Sequence, residues 1–312
     1  MIERQHLRIV AMIAKKGTLT DAAAALHLTQ SALSHGMKKL ELEFGVALWH
    51  KDGRRLRLSN AGESLLHLAE RILPQFENTE EHLAQIAAGK KGGLRIGMEC
   101  HPCYQWLLKV VKPFLTQFPT VDVDVRQAFK FGGLQALHGY EIDLLLTPDP
   151  LFIPTITYVP VFQYEQVLVV ANDHPLATKP WVRPQDLAND TLITYPVEPS
   201  RLDIFAQFMT PAGGSVKRHK TIETTEILLQ MVSAGRGISA LPHWLVEEHS
   251  QSLAITPVRL GENGLSKALH LGYRSKDLPA DYFSAFIDLA KMIGTDAASH
   301  SRHHQPAPHS SG

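Results

Sequence analysis

Apolar and polar positions over residues 1–58 alternate as three short amphipathic helices followed by a hairpin. Within residues 2–15, Ile2, His6, Ile9, Val10 and Ile13 share one face, and Gly17 supplies the left-handed stop that glycine gives most cheaply. A second helix begins at about Thr20, a suitable N-cap, and runs through the alanines 22–25 to Leu26. A third follows Thr29, another capping residue, and carries Leu33, Met37, Leu40 and Phe44 at spacings of 4, 3 and 4. About three residues separate the second and third helices, which is helix-turn-helix spacing. After Gly45, the segment Leu48 to Leu58 alternates around Asp52-Gly53, a two-residue hairpin signal.

From about Ser59 to Ala88 the pattern is one long helix, with Asn60 and Glu63 placed as N-cap and capping-box partner. Ala61, Leu65, Leu68, Ile72, Phe76, Thr79, Leu83 and Ile86 recur at spacings of 3 and 4. Such a stripe over roughly 42 Å exceeds what one small helical domain covers, so a partner helix is implied over residues 60–88. Pro74 is expected to kink it or leave a carbonyl unpaired. Gly89-Lys90-Lys91-Gly92-Gly93 then reads as a linker.

Residues 94–294 alternate short apolar runs with amphipathic segments. Strands are predicted at 94–99, 121–127, 142–147, 165–172, 191–195, 216–222, 238–241 and 267–274, and helices near 104–117, 131–139, 200–210, 223–234, 243–249 and 280–293. This is the pattern of a parallel α/β sheet. The order allows two lobes, one of about 93–161 with 266–294 and the other about 162–265, the chain crossing near 160 and returning near 265. A ligand is expected outside the carboxyl ends of strands, between the lobes. Residues 295–312, rich in His, Ser and Pro, read as a disordered tail.

Composition adds little until it is divided. At 312 residues, two domains are expected, and 44% hydrophobic with 20% charged residues is ordinary for a globular chain. Equal numbers of basic and acidic residues, 31 each, argue alone against a nucleic-acid partner. Residues 1–58, however, carry +5 and the remainder −5, so the neutrality is a cancellation. No apolar run approaches the roughly 18 residues that span a bilayer, and the N-terminus has neither the apolar core nor the cleavage site of a secretory signal. A cytoplasmic, nucleoid-associated location with no membrane partner is the expectation.

The face of the third helix opposite its apolar stripe carries Ser31, Ser34, His35 and Lys38, side chains that can approach base edges, and the hairpin tip carries Arg54, Arg55 and Arg57. Either feature alone is commonly a solvated surface. Their order, together with the local +5, favours a DNA-binding module with a basic wing.

The layout resembles the LysR-type transcriptional regulators over essentially the whole chain to about residue 294. The resemblance rests on Ala22-Ala23, Leu26-His27-Leu28-Thr29-Gln30-Ser31-Ala32-Leu33-Ser34, Leu40-Glu41, Gly45, Leu48 and Leu58-Ser59-Asn60-Ala61-Gly62 in the first part. In the second part it rests on Asp173-His174-Pro175-Leu176, Pro184-Gln185-Asp186-Leu187 and Gly235-Arg236-Gly237-Ile238-Ser239-Ala240-Leu241-Pro242. The family usually has proline where Ser31 stands. Within the family, Glu99-Cys100-His101-Pro102-Cys103, Gln105-Trp106-Leu107, Tyr195-Pro196-Val197, Ser200-Arg201-Leu202-Asp203 and Leu241-Pro242-His243-Trp244 resemble the branch that governs methionine biosynthesis with homocysteine as co-effector.

The resemblance implies a winged helix-turn-helix domain at 1–58, a linker and dimerisation helix with hinge at 59–92, and a two-lobed α/β effector domain at 93–294, similar to periplasmic binding proteins. It implies double-stranded operator DNA as partner, a homodimer through residues 60–88, homotetramers through the effector domains, an activating role and RNA polymerase as a further partner. DNA contacts are expected from Thr18, Thr20, Thr29, Gln30, Ser31, Ser34, His35, Lys38, Arg54, Arg55 and Arg57. An amino-acid effector needs an acceptor for its ammonium, supplied by Glu99 or Asp149, and donors for its carboxylate, supplied by Arg201, Ser200, Thr224 or Thr225. Cys100, His101, Cys103, Lys130, Thr147, Tyr195 and Pro196 complete the expected cleft.

Cys100-x-x-Cys103 with His101 and His243 invites a redox or thiophilic-metal reading, but a single such pair among seventeen histidines is a weak metal signal. Two partly buried thiols beside a thiol ligand are the expectation, with no metal and no cofactor. No Gly-x-Ser-x-Gly elbow, phosphate loop or H-E-x-x-H stands in the chain. Asp173-His174 resembles half a catalytic triad, but a structural turn explains it better. The alternatives are a LysR-type regulator of another pathway with a different small carboxylate effector, and, from another class, a cleft-based α/β enzyme or solute-binding protein.

Overall fold

The computed structural model describes residues 1–53, 55–87, 92–100, 102–126, 132–277 and 281–302. Arg54, His101 and Lys130 lie outside them, as do residues 303–312 of the expected tail. The chain forms two compact units, residues 1–95 with 134–143, and residues 96–133 with 144 onward.

In the first unit, α1 (Arg4–Lys16) ends at Gly17, whose φ of 77° and N–H to the Ile13 carbonyl make a left-handed cap. Its buried face is Leu7, Ile9, Val10 and Ile13, while Ile2 is exposed, so the face turns by one position from the sequence expectation. α2 (Leu19–Ala25) is capped by Thr18, whose Oγ1 accepts from the Asp21 N–H at 3.1 Å, two residues earlier than expected. α3 (Gln30–Phe44) is capped by Thr29, whose Oγ1 accepts from the Ala32 N–H. Between α2 and α3, His27 takes a positive φ of 56° and the Leu28 N–H reaches the Ala23 carbonyl, a helix stop made without glycine. Leu33, Met37 and Leu40 are buried, whereas Phe44 is 53% exposed because it falls on the last turn, beyond the packed face.

β1 (Trp49–Asp52) and β2 (Arg55–Leu58) pair antiparallel with Asp52 opposite Arg55, so Asp52, expected in the turn with Gly53, is the last residue of β1. Leu56 and Leu58 face the core and Arg55 and Arg57 face out. α4 (Asn60–Ala87) runs unbroken through Pro74. Its cap is Ser59, whose Oγ accepts from the Gly62 N–H and donates to the Ala47 carbonyl, not the expected Asn60. A Cβ on Gly62 would meet the Leu48 carbonyl oxygen at 2.0 Å, so α4 lies against the wing closer than any other residue permits. Among the described residues of α4 the buried apolar side chains are Leu65, Ala69 and Leu73, and Phe76 and Leu83 stand 43% and 60% exposed.

The large sheet of the chain beyond α4 is mixed, not parallel as the alternation suggested. β3 (Gly92–Met98) is followed by α5 (Cys103–Gln117), β4 (Val121–Arg126), α6 (Gly133–His138) and β5 (Leu144–Thr147). β6 (Ile156–Ala171) is a sixteen-residue strand, of which only the second half was expected. β7 (Trp181–Val182), β8 (Thr191–Thr194), β9 (Arg218–Thr221), α7 (Thr225–Ser233), β10 (Ser239–Pro242), α8 (His243–Ser250), β11 (Ile255–Leu260), β12 (Leu265–Arg274) and α9 (Asp281–Arg302) complete it. Residues 295–302, expected in the tail, thus continue α9. The expected helix at 200–210 is two 3-10 turns flanking a π turn, Ile204–Met209.

The sheet order is β4-β3-β5-β12-β6-β11-β7, with β10 also on β6. β3 and β5 pair parallel, but β12 pairs antiparallel with both β5 and β6, and β10 and β11 pair antiparallel with β6. β8 and β9 form a separate parallel pair. β6 and β12 run side by side, and their register shifts where Leu269 faces Phe162 and His270 faces Pro160. α9 packs on β6 at this bulge, where a Cβ on Gly294 would stand 1.8 Å from the Val161 carbonyl oxygen.

Candidate DNA-reading surface and ligand cleft

On the first unit, Gln30, Ser31, His35 and Lys38 are exposed along α3 and Ser34 is half-buried. Thr20 donates its hydroxyl to Gln30 Oε1 at 3.4 Å. Thr18 and Thr29 serve as helix caps, their hydroxyl oxygens taken up by the Asp21 and Ala32 N–H groups. Arg55 and Arg57 project from β2 beside this helix-turn-helix. The surface thus combines a polar helix face for base edges with a cationic ribbon for the backbone.

On the second unit, the carboxyl ends of β3, β5, β8 and β10 and the middle of β6 converge on a solvent-open cleft. Of the expected residues it is lined by Glu99, Cys100, Asp149, Tyr195 and Arg201. Glu99 does not point its charge into an empty site. Its Oε1 accepts the Gly133 N–H at 3.0 Å and its Oε2 the hydroxyl of Thr147 at 3.0 Å, and a Cβ on Gly133 would collide with Leu145. Thr147, 1% exposed, therefore supports Glu99 and does not line the cleft. Thr225 is buried with its hydroxyl bonded to the Tyr195 hydroxyl at 2.8 Å, while Pro196, Ser200 and Thr224 are exposed outside the lining.

The cleft contains a charge cluster that sequence spacing could not reveal. Lys267 Nζ lies 2.7 Å from Asp149 Oδ1 and 3.0 Å from Asp203 Oδ1, joining β12 to the segments after β5 and before the π turn. Burial pushes the Asp203 carboxyl above the ordinary aspartate range, with Lys267 offsetting part of that. Burial lowers the Lys267 ammonium, but the hydrogen bond and charge of Asp149 and the charge of Asp203 outweigh it and hold the group above its usual value. The phenol of Tyr164 is pushed far up, first by burial and then by Asp203 and Asp149, and remains protonated. Tyr164, Gln166, Thr194 and Asp203 line the cleft and were missed, because each is an isolated polar residue inside an apolar or turn segment. Thr194 Oγ1 donates to the Tyr195 carbonyl and meets His219 Nε2 at 2.8 Å.

The expectation of two free thiols is corrected. Cys100 follows the end of β3 and Cys103 opens α5, which brings their Cα atoms to 5.4 Å, and the two sulfurs are joined in a disulfide. Cys100 lines the cleft and Cys103 is 1% exposed. His174 takes the structural-turn role: its Nδ1 accepts from the Leu176 N–H and its Nε2 lies 3.1 Å from Asp190. Among the described residues no group of three or more His, Cys, Asp or Glu is placed to hold a metal ion, and no helix is long and apolar enough to cross a membrane.

Residues 4–63 match the bacterial regulatory helix-turn-helix proteins of the lysR family, and residues 87–292 match the LysR substrate binding domain. The chain belongs to the LysR family of DNA-binding transcriptional regulators. It is 40% identical over 296 residues to the HTH-type transcriptional regulator MetR of Escherichia coli (strain K12), covering 95% of this chain and 92% of that one. MetR of Salmonella typhimurium is 40% identical over 287 residues, covering 92% and 89%. The regulatory domain of MetR from N. meningitidis superposes with a TM-score of 0.60 at 30% identity, over 66% of this chain and 95% of that one. Full-length CbnR in complex with its target DNA shares the fold, with a TM-score of 0.70 at 23% identity over 94% of this chain and 100% of CbnR. The protein is therefore a MetR-like LysR regulator.

Proposed function

We propose that this regulator controls genes of methionine and sulfur amino-acid biosynthesis, that homocysteine is its effector, and that the cleft serves binding rather than catalysis. The observation that carries the effector reading is the cluster in which Asp149 and Asp203 share one lysine. Two carboxylates against one ammonium leave an acceptor surplus for a ligand ammonium. Arg201 on the same wall offers a planar partner to a carboxylate, and the Cys100–Cys103 disulfide with Leu202 and Ile204 offers soft and apolar surface to a thioalkyl chain. The similarity to MetR supports the same assignment.

The exposed Phe76 and Leu83 on α4 support dimerisation through residues 60–88, which would set two α3 helices and two wings on adjacent half-sites. Tetramers through the effector domains, activation and contact with RNA polymerase follow the family pattern. Effector binding shifts the relative placement of DNA-binding pairs, for which a coupling of about 1–3 kcal/mol suffices. The test is operator affinity and footprint with and without homocysteine, with methionine and cysteine as controls. An altered footprint with homocysteine alone supports the reading, and an unchanged footprint and affinity removes the effector while leaving the family.

A further inference from the structure

We infer that the Cys100–Cys103 disulfide is itself a ligand-binding group: a small thiol entering the cleft is captured covalently on Cys100 Sγ, with Cys103 as the leaving thiolate. This rests on the proposal above that the cleft takes an amino acid bearing a thiol. Three observations point to it. The disulfide forms the cleft wall on one side only, since Cys100 is half-buried and lines the cleft while Cys103 is 1% exposed and does not. An incoming thiolate therefore reaches Cys100 and not Cys103. The sulfur that must leave belongs to the first residue of α5, a fifteen-residue helix, where the unpaired N–H groups and the helix dipole stabilise a thiolate. A better-stabilised leaving thiolate departs faster and holds the exchange open longer. Finally, these are the chain's only two cysteines, so no third thiol within the chain can resolve the mixed disulfide.

The step balances without any outside oxidant. The ligand thiol gives its proton to solvent, and its sulfur forms a bond to Cys100 Sγ. The Cys100–Cys103 bond breaks with its electron pair passing to Cys103 Sγ, so one disulfide is consumed and one is made. Return attack by the Cys103 thiolate on Cys100 Sγ expels the ligand, which makes capture reversible. The ammonium and carboxylate contacts of the same cleft, at Asp149, Asp203 and Arg201, would raise the local concentration of an amino-acid thiol over a simple one.

The test uses the full-length protein in its disulfide form, mixed with homocysteine, quenched in acid, alkylated with N-ethylmaleimide and mapped by peptide mass spectrometry. The expected product carries one ligand on Cys100 and one maleimide on Cys103, is removed by dithiothreitol, and forms at concentrations about tenfold or more below those needed with 2-mercaptoethanol, as one added charged contact implies. Adduct on Cys103, no adduct, conversion to the dithiol with no trapped adduct, or equal reaction with 2-mercaptoethanol overturns the inference. Thermal shifts by homocysteine on the wild type and on a Cys100→Ser/Cys103→Ser variant separate the two proposals. Equal shifts without adduct leave the effector and remove covalent capture, whereas no shift and no adduct in the wild type removes both.

Discussion

Replacing Lys267 with methionine keeps the aliphatic stem and removes the charge that two carboxylates share. The Lys267 side chain is 11% exposed, Asp203 is 18% exposed and Asp149 is 45% exposed. Breaking a fully buried pair by removing one partner costs about 3–5 kcal/mol. Asp149 can rehydrate and contributes little. Asp203 cannot fully do so, although Gln207 still donates to it, which brings the expected loss to about 2 kcal/mol. For a unit of this size that is about 4–8 °C in the melting temperature.

The loss has a sign with pH. A carboxyl whose folded pKa is raised contributes stability that is present below its unfolded value and disappears as pH rises through the folded one. Asp203 is already raised by burial, and removing Lys267 raises it further, so the variant's deficit should be largest near neutrality and shrink as Asp203 takes up a proton in acid. The assay is thermal unfolding of both proteins at neutral and at acidic pH, since a raised carboxyl takes up its proton as pH falls. A deficit of equal size at both pH values would refute the claim that Lys267 acts by neutralising a buried carboxylate.

Arg57→Ala should weaken binding to operator and random DNA alike and reduce the slope of log K against log salt by about one, read by fluorescence anisotropy. Gln30→Ala should cost about 1–3 kcal/mol on the operator with little loss on random DNA, and equal losses on both would show that Gln30 reads no base. Gly62→Ala must push α4 off the Leu48 carbonyl and should destabilise the first unit by about 1–3 kcal/mol, seen as a lowered midpoint in urea. Leu83→Lys, on a face 60% exposed, should leave thermal stability of the second unit unchanged and shift sedimentation toward monomer.

The elements with local causes were readable in advance. The helix-turn-helix declares itself through Thr29 and the Leu33, Met37, Leu40 stripe, and the wing through its strict alternation, because both patterns depend on neighbours within a turn or a hairpin. Caps slipped by one or two residues, since Thr18 and Ser59 compete with the equally suitable Thr20 and Asn60 and only the packed helix decides between them. The strand direction was not readable: β6 and β12 look like any apolar strands, and their antiparallel pairing is fixed by contacts about a hundred residues apart. The same distance hid the cleft chemistry. Asp149, Asp203 and Lys267 lie in three separate segments, and nothing local marks Lys267 as more than a surface residue on a strand. The disulfide was missed for a different reason. A lone C-x-x-C pair leaves metal, thiol and disulfide open, and the strand end followed by a helix start decides among them.

The paired β6 and β12 give the second unit a shared spine. The two strands are paired along all ten residues of β12, with one register shift between Leu269 and His270. At that shift α9 brings Gly294 so close to the Val161 carbonyl that no Cβ fits between helix and ribbon. A side chain at position 294 must therefore shift either the helix or the ribbon, and Gly294→Ala should lower the melting temperature of the second unit.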